Sequence, residues 1–406
     1  MSGPLTGYKV LDMSRILAGP WAGQMLADLG AEVIKIERPK AGDDTRHWGP
    51  PYLKDKQGNN TQDAAYFFCA NRGKQSVTVD ITQPEGREII RQLAGQCDVL
   101  IENYKVGGLA KYGLDYASLS HLNPRLVYCS ITGFGQTGPY AERPGYDFLI
   151  QGMAGLMSLT GEPDEQGGSP VKVGVAVTDL LTGLYAANAI QGALLERHQS
   201  GLGQYIDLAL LDVQAAALAN QASNYLIGGE IPQRLGNAHP NIVPYQAFAT
   251  ADGHIILAVG NQTQFERLCQ VLEQPGWLQD KRYSSNSARV DNRQTLCAEI
   301  SRLLLPRSSE NWLGLFEQQQ IPCGPINNLE QVFSNTQLQA RNMLVSIKEP
   351  RSGEIQLPAN PINYSRTPIR YSSPPPQLGN DTESILSQYL EYSAIDIAEL
   401  REKTII

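Results

Sequence analysis

Apolar runs alternate with helical patterns through the first half of the chain. Runs rich in Val, Leu and Ile are typical of strands, and they fall at 10–13, 32–36, 76–81, 98–102 and 125–131. Between them, 20–29 and 84–95 have the residue spacing of helices, and Pro20 suits a first helical position. Strands that alternate with helices predict an α/β fold, in which a parallel sheet is covered by helices.

The pattern changes near residue 225 and changes back after residue 330. The middle section is rich in turns, with one apolar run at 255–260 and helical patterns at 263–275 and 308–319. Extended segments return at 343–363, and the last stretch is helical. We therefore expect a large domain built from 1–224 and 331–406, and a smaller α+β domain over 225–330.

Asp179 lies where an alternating segment changes into a long helical pattern. Valines alternate over 171–177 as they do in a strand, and small and apolar residues recur at helical spacing over 180–198. Thr178 suits the N-cap, which places Asp179 in the first helical turn, where negative charge is favourable. From its position alone, this carboxylate either only supports the start of the helix or carries chemistry.

Composition and charge exclude several classes of protein. The chain has 406 residues, of which 42% are hydrophobic and 18% charged, an ordinary globular balance. The sequence contains no run of about 18 apolar residues, so no membrane span is expected. The net charge of −8 argues against nucleic-acid binding. Six widely spaced cysteines and an N-terminus without the pattern of a signal peptide predict a cytoplasmic protein with reduced thiols.

The loop after the first predicted strand, SRILAGP (14–20), lacks the glycine pattern of a dinucleotide site. Basic residues recur near strand ends instead, at Arg38, Arg72, Lys74 and Lys111. Loops at the carboxyl ends of parallel strands converge on a ligand crevice. Arg and Lys there suit phosphate groups, and the alternative for each is an ordinary solvated surface charge.

Two glycine-containing turns, GFGQTGP (133–139) and VGNQ (259–262), allow close approach of a ligand to the backbone. Their N–H groups could stabilise an oxyanion, although each segment is also compatible with a simple tight turn. The five histidines match no metal-binding pattern, and the serine-hydrolase elbow is missing. A carboxylate is therefore the expected reactive group, since with an ordinary pKa near 4 it is ionised at neutral pH and can attack an acyl group.

Together these segments resemble the class III CoA-transferases, also called the formyl-CoA transferase and carnitine CoA-transferase family. The resemblance runs over nearly the whole chain. It is carried by VLDMSRILAGP, ADLGAEVIKIERP, GDDTRHWGPP, NRGKQSVTVDI, DVLIENY, NPRLVYCSITGFGQTGP, GYDFLIQGMAGLMSLTG, VGVAVTDLLTGLYAA and IPCGPINN, in that order.

The resemblance implies a Rossmann-like large domain, a small domain and an interlocked homodimer that uses a CoA thioester as substrate, with no permanently bound cofactor and no metal. It implies that Asp179 is the nucleophile. The implied CoA contacts are Ile16, Leu17, Ala18, Arg38, Arg72, Lys74, Asn103, Tyr104 and Lys111. The implied acyl-group and oxyanion residues are Gly133, Phe134, Gly135, Gln136, Tyr146 and Gly260.

Two departures from family patterns narrow the function. Formyl-CoA transferases have Gln at the place of Leu17 and a long loop of glycines that this chain lacks, which argues against oxalate and formate. The related 2-methylacyl-CoA racemases pair a His with the aspartate, and here Tyr146 replaces that His. Tyrosine, with a pKa near 10, is a poor proton relay, so the racemase stays the lesser alternative, beside a CoA-binding protein without catalysis.

Several segments look most like those of dicarboxylate CoA-transferases such as succinyl-CoA:glutarate enzymes, namely NYLIG, NAHPNIVPYQAF and GPINN. We hypothesise that in such an enzyme a cation clamps the second carboxylate of the acid. Arg46, Arg234 and His239 are the candidates for this clamp, and structural hydrogen bonding is the alternative for each. The sequence leaves the donor and acceptor acids open.

Overall fold

The computed structural model describes residues 3–371 and 373–406. Its strands, in chain order, are β1 (Lys9–Asp12), β2 (Glu32–Glu37), β3 (Tyr52–Lys54), β4 (Asn60–Ala64), β5 (Lys74–Thr78), β6 (Val99–Glu102), β7 (Val127–Thr132), β8 (Tyr205–Ala209), β9 (Tyr245–Ala249), β10 (His254–Ala258), β11 (Cys323–Pro325), β12 (Leu344–Glu349) and β13 (Gly353–Pro358).

Helices connect these strands. They are α1 (Ala18–Asp28), α2 (Ala65–Phe68), α3 (Pro84–Gln96), α4 (Tyr116–Leu122), α5 (Asp147–Met153), α6 (Leu156–Leu159), α7 (Val177–Ser200), α8 (Leu210–Ala217), α9 (Ala219–Gly228), α10 (Gln262–Val271), α11 (Asn286–Asp291), α12 (Arg293–Leu304), α13 (Ser309–Gln318), α14 (Leu329–Ser334), α15 (Thr336–Ala340), α16 (Thr382–Leu390) and α17 (Ala394–Glu402). Among the described residues, none of these helices is long and apolar enough to cross a membrane.

The chain divides into two compact units. The first unit contains the described residues up to Leu156, together with Val173–Leu226 and Gln337–Ile406. The second unit contains Met157–Lys172 and Ile227–Thr336. A three-stranded antiparallel sheet, in the order β11-β10-β9, forms the second unit with helices α10 to α13 around an aromatic core. Two hairpins, β3–β4 and β12–β13, belong to the first unit.

A parallel sheet of six strands forms the centre of the first unit, in the order β5-β2-β1-β6-β7-β8. The predicted α/β fold with a parallel sheet is thus confirmed. Both faces of the central strands are buried, with Leu11 and Leu100 in the core on one face and Val10 and Val99 in the core on the other, which explains the continuous apolar runs. The strand order reverses between β1 and β6, and ligands of doubly wound sheets bind at such a point.

The long helix α7 packs against α1 at a small residue. An ideal Cβ at Gly183 would lie 2.8 Å from the carbonyl oxygen of Ala18 and 2.9 Å from the Trp21 ring. Only a hydrogen at this position lets the two helices approach so closely. This contact fixes the first turn of α1, and with it the end of the loop after β1.

The predicted strand over 171–177 is wrong. These residues pair with no strand of the described chain, and Val177 already begins α7, with Ala176 as its N-cap. Thr178 is therefore inside the helix, where its hydroxyl donates to Gln214 at 2.7 Å. Pro20 likewise is the third residue of α1 and not the first. Alternating valines form a strand only where a second strand pairs with them, and in the described part of the chain 171–177 joins no sheet.

Candidate active site

One cavity of the first unit opens where the strand order reverses. Its volume is about 660 Å³. Its walls come from the loops after β1, β2, β6 and β7, and from the start of α7, where Asp179 lies. The cavity thus lies at the carboxyl ends of the strands, where a parallel sheet is expected to bind a ligand.

Most of the residues predicted to bind CoA line this cavity. They are Ile16, Leu17, Ala18, Arg38, Asn103, Tyr104 and Lys111. Asn103 fixes the loop after β1, because its amide oxygen accepts from Arg15 N at 2.9 Å and its amide nitrogen donates to Arg15 O at 2.7 Å. Ile16 has a φ of 72°, a strained value for a β-branched residue. The loop is therefore held in one shape.

Two arginines of the cavity share one acid. Asp44 accepts from Arg15 at 2.6 Å and from Arg38 at 3.2 Å. Both guanidinium groups are partly exposed, and each has five N–H donors, so donors remain for phosphate oxygens. The sequence analysis missed Arg15 and Asp44. Their positions in the sequence could have indicated them, since Arg15 directly precedes the predicted Ile16 and Asp44 lies in the loop after β2.

Lys74 and Arg72 were also predicted to bind CoA, but neither lines this cavity. The Lys74 ammonium is fully buried and donates to Asp12 at 2.8 Å, while burial lowers the pKa of Lys74 to about 8. Arg72 forms a bidentate pair with Asp28, at 2.9 and 2.6 Å. Both cations have internal partners, so the structure gives them a structural role.

Arg46, a predicted carboxylate clamp, is buried as well. Its guanidinium forms a bidentate pair with Glu37, at 2.8 and 2.7 Å, and also donates to Asp63 at 2.7 Å and to the Pro376 carbonyl at 3.1 Å. A side chain that is 2% exposed and bound to two carboxylates cannot reach a substrate. The structure therefore assigns Arg46 to the scaffold and not to the clamp.

Asp179 is half-buried in the cavity wall, and its pKa is raised from 3.8 to about 7. Burial is the larger cause, and the neighbouring carboxylate of Asp147 is the second. The expectation of an ordinary pKa is therefore wrong. At neutral pH the free protein contains both the protonated and the ionised form of this group.

Asp147 was missed by the sequence analysis. One of its oxygens accepts from the N–H groups of Thr178, at 2.8 Å, and Asp179, at 3.4 Å, while the other accepts from Gln151 at 2.7 Å. Asp147 thus satisfies free N–H groups at the start of α7, where the helix dipole favours a negative charge. The signal was the GYD segment, which was read for Tyr146 alone.

Tyr146 and Gly133 line the cavity together with Asp179. Tyr146 is exposed and is the N-cap of α5, so the following Asp147 begins that helix. Gly133 directly follows β7 and lies against Gly145. An ideal Cβ at Gly133 would lie 2.5 Å from the Cα of Gly145. The structure thus brings one glycine of the predicted acyl loop and the tyrosine of GYD to the nucleophile candidate.

The other residues of the GFGQ loop turn away from the cavity. Phe134 is buried in the core beside β7. Gly135 N donates to Thr132 Oγ1 at 2.9 Å, and Gln136 N donates to Asp207 at 3.1 Å. These two N–H groups are occupied in this conformation, so an oxyanion role for either would need the loop to move.

Three predicted residues belong to the second unit. Arg234 pairs with Asp164 and donates to a neighbouring carbonyl, and the His239 ring accepts a backbone N–H at 3.0 Å. Gly260 N donates to the side chain of Gln264 at 2.7 Å. Their roles toward a substrate stay predictions. Within the described residues, no cluster of His, Cys, Asp or Glu is arranged to hold a metal ion.

The comparisons with known proteins agree on one family. The sequence profile of CoA-transferase family III matches residues 5–382. A succinate–glutarate CoA-transferase of Agrobacterium fabrum is 52% identical over 95% of both chains, and a succinyl-CoA:glutarate CoA-transferase of Homo sapiens is 44% identical over 98% of this chain and 88% of its own. The crystal structure of a CAIB/BAIF family protein from Brucella suis is 48% identical, covers 96% of this chain and 100% of its own, and superposes with a TM-score of 0.84.

Proposed function

The chain belongs to CoA-transferase family III and is an enzyme of that class, and from this premise we propose that it moves CoA from succinyl-CoA to glutarate with Asp179 as nucleophile. One observation carries the role of Asp179, which is that it lines the same cavity as the loops predicted to bind CoA. The relatives that share about half of its residues support the acid pair, because their names give succinate and glutarate.

The first half of the proposed reaction moves CoA onto the protein. An ionised Asp179 oxygen attacks the succinyl thioester carbon, the C–S bond breaks, and the CoA thiolate leaves behind a mixed anhydride. The thiolate then attacks the aspartyl carbon of the anhydride. That C–O bond breaks, succinate leaves, and Asp179 carries CoA as a thioester.

The second half repeats these steps with the other acid. A glutarate carboxylate attacks the aspartyl carbon, the thiolate leaves, and a new anhydride joins glutarate to Asp179. The thiolate attacks the glutaryl carbon and releases Asp179 as the carboxylate, so no proton or electron is gained or lost. Each intermediate would react with water, so transfer requires that the cavity stay dry.

The cations of the cavity suit the proposed CoA end of the substrate. Arg15, Arg38 and Lys111 lie on its walls, and guanidinium and ammonium groups bind phosphate oxygens. Tyr104 also lines the cavity, and an aromatic residue there suits contact with an adenine ring. Because all these groups surround one cavity with Asp179, a thioester whose phosphates bind at the cations can extend toward the nucleophile.

The interlocked homodimer and the cytoplasmic location remain proposals. The dimer is supported by large apolar side chains that the first unit leaves exposed, among them Phe148, Leu149, Leu184 and Tyr185. Apolar patches of that kind mark interaction surfaces. Light scattering on the purified protein would test the dimer, and a monomer at micromolar concentration would contradict it.

A direct assay tests the function. The protein is incubated with succinyl-CoA and each of a panel of dicarboxylic acids, and the acyl-CoA products are identified by mass spectrometry. We expect glutaryl-CoA to form fastest. A panel in which no acid accepts CoA would refute the transfer, and a clear preference for another acid would refute the glutarate assignment.

A variant pair tests the nucleophile. Asp179→Asn keeps the shape of the side chain and removes the attacking oxygen, so transfer should fall below a thousandth of the normal rate, as when other covalent nucleophiles are removed. Asp212→Asn is the matched control, because Asp212 also lies in a first helical turn but is exposed outside the cavity. Hydroxylamine should convert Asp179 to a hydroxamate only when succinyl-CoA is present. Transfer by Asp179→Asn at a tenth of the normal rate would exclude the proposed step.

A further inference from the structure

A buried ion pair forms part of the cavity wall. Lys35 of β2 donates to Asp43 at 2.9 Å, and neither side chain is exposed to solvent. Both residues line the cavity, although the sequence analysis named neither of them. The attraction within a buried pair often only offsets the cost of removing two charges from water, so a pair beside a binding cavity calls for a reason.

Both members of the pair bind the backbone of the loop after β1. Lys35 Nζ donates to the carbonyl oxygen of Ser14 at 3.0 Å, and Asp43 Oδ1 accepts from the N–H of Ile16 at 3.3 Å. Ile16 has a φ of 72°, and a β-branched residue keeps such a value only where its surroundings hold it. The ion pair supplies a contact on each side of the strained segment.

Asp43 also holds the turn that carries Asp44. Its Oδ1 accepts from the N–H of Thr45 at 3.0 Å and from the Thr45 hydroxyl at 2.8 Å, as the N-cap of a 3₁₀ turn. Asp44 lies in that turn and binds both Arg15 and Arg38. One buried carboxylate therefore connects the loop after β1 to the turn that orients the two arginines of the cavity.

The two groups of the pair remain charged at neutral pH. Burial would raise the pKa of Asp43, but the Lys35 ammonium and the Thr45 donors lower it to about 2. Burial would lower the pKa of Lys35, but the carboxylates of Asp43 and Asp12 raise it. Hydrogen bonds made by charged groups are stronger than those between neutral groups, so the pair restrains the loop more firmly than neutral side chains would.

We propose that Lys35 and Asp43 are positioning residues, which hold the loop after β1 and the two arginines of the cavity in the arrangement that binds CoA. The inference rests on the proposed function, since it takes Ile16, Leu17 and Ala18 as part of the CoA-binding wall. Neither member of the pair has to contact the ligand, because both act through the loop backbone and the turn that begins at Asp43.

Two substitutions break the pair from its two sides. Asp43→Asn leaves one acceptor oxygen, which can serve either the Lys35 ammonium or the backbone donors but not both. Lys35→Met removes the donor to Ser14 and leaves Asp43 without its cation. In each variant the loop loses one restraint, so the Kd for CoA should rise at least about tenfold, the order of loss expected for one hydrogen bond to a charged group.

The effect should appear in binding and not in chemistry. Asp179 lies on α7, whose first turn Asp147 holds, so kcat should stay within about threefold while KM for succinyl-CoA rises. The double variant, Lys35→Met with Asp43→Asn, leaves no unpaired buried charge at this place. It should therefore melt at a higher temperature than either single variant and still bind CoA at least about tenfold more weakly than the wild-type protein.

Arg197→Met is the matched control. Arg197 is also buried, donates to Asp98 at 2.7 Å and donates to the carbonyl oxygen of Arg125 at 2.9 Å. This pair lies at the amino ends of the strands, since Asp98 precedes β6 and accepts from the N–H of Lys9, the first residue of β1. Its members are outside the cavity. Arg197→Met should lower the melting temperature and leave the Kd for CoA within twofold of normal.

A cycle with Ile16→Gly separates positioning from a general loss of structure. Glycine adopts a φ of 72° without strain, so the loop with Ile16→Gly needs less support from the pair. The loss of CoA affinity caused by Asp43→Asn should be at least about threefold smaller in this background than with Ile16 present. A pair that only stabilised the domain would cost the same factor in both backgrounds.

The measurements are calorimetric titration of CoA, steady-state kinetics with succinyl-CoA and glutarate, and thermal unfolding. The expected result is a raised Kd with kcat kept in the variants of the pair, and an unchanged Kd in Arg197→Met. If the wild-type protein binds CoA and the folded variants, the double variant included, keep Kd within twofold, the positioning role is overturned alone. An equal loss of affinity in Arg197→Met would overturn it as well. If the wild-type protein binds CoA but transfers it to no acid, only the proposed transfer is overturned, and a wild-type protein that does not bind CoA would overturn both.

Discussion

The shifted pKa of Asp179 makes the rate of transfer depend on pH in a range where an ordinary aspartate would not. Only the carboxylate attacks the thioester, and the pKa of about 7 means that the ionised fraction changes between pH 8 and pH 6. From the titration equation, this fraction is about 0.9 at pH 8 and about 0.1 at pH 6. We therefore expect kcat/KM for succinyl-CoA to fall about tenfold over these two pH units, from Asp179 alone.

Replacing Asp147 by Asn tests the cause of the shift. The amide keeps an oxygen that can accept from the N–H groups at the start of α7, but it removes the negative charge beside Asp179. The pKa of Asp179 should fall, although burial keeps it above 3.8. The acid limb of kcat/KM should then move to lower pH, so that Asp147→Asn loses less activity than the wild-type protein between pH 8 and pH 6.

The assay records glutaryl-CoA formation at subsaturating succinyl-CoA in buffers of constant ionic strength. Because burial also raises the pKa of Glu102, the last residue of β6, to about 7, the series is repeated in Glu102→Gln, which removes that group from the titration. Asp291→Asn, an exposed aspartate of the second unit, is the control for the loss of one charge. A flat profile between pH 6 and pH 8 would refute the reasoning, as would an acid limb that Asp147→Asn does not move.

Three further predictions concern packing and binding. Gly183→Ala should lower the free energy of unfolding by about 1–3 kcal/mol in denaturant titrations, because its methyl group would press on the Ala18 carbonyl; an unchanged midpoint would show that α1 and α7 can separate freely. Arg46→Ala should lower the free energy of unfolding by about 3–5 kcal/mol, because it leaves Glu37 and Asp63 buried without their cation. A variant that stays stable but has a raised KM for glutarate would restore the clamp hypothesis. Arg38→Ala should weaken CoA binding at least about tenfold in calorimetry without loss of stability, as for other charged hydrogen bonds, and unchanged affinity would remove Arg38 from the phosphate site.

The parallel sheet could be predicted because its strands are buried on both faces. Val10 and Val99 are both almost fully buried and pair in the β1–β6 ladder, so their apolar runs needed no partner to be recognised. The edge strand β8 was missed, since Tyr205 and Asp207 are exposed and interrupt its apolar pattern. The segment at 171–177 shows the converse error, because its valines alternate as in a strand but belong to no strand of the described chain.

The cations of the site show the limit of sequence reasoning more clearly. Lys74 and Arg38 look alike along the chain, since both are basic residues close to strand ends. What separates them is the acid that reaches Lys74 from 62 residues away, namely Asp12 on β1, within a fully buried pair. A pairing over that distance depends on the strand order, which the local pattern does not contain. Arg72 likewise pairs with an acid that is distant along the chain, Asp28, 44 residues away.

Asp147 and Asp179, the two carboxylates at the start of α7, have different roles. The free N–H groups of a helix start would normally stabilise an aspartate in the first turn and lower its pKa. Here Asp147 accepts those hydrogen bonds from outside the helix, and burial together with the Asp147 charge raises the pKa of Asp179. The ionised form of Asp179 is therefore weakly stabilised, which makes its oxygen more basic and a better nucleophile toward a thioester once it is charged. Removing the charge of Asp147 should lower the pKa of Asp179, so Asp179 ionises at lower pH. The less basic carboxylate should also be a weaker nucleophile, which is a reason to keep the two acids close together. At pH 8, where both proteins are ionised, Asp147→Asn should consequently be slower than the wild-type protein, and the two pH profiles should cross on the acid side.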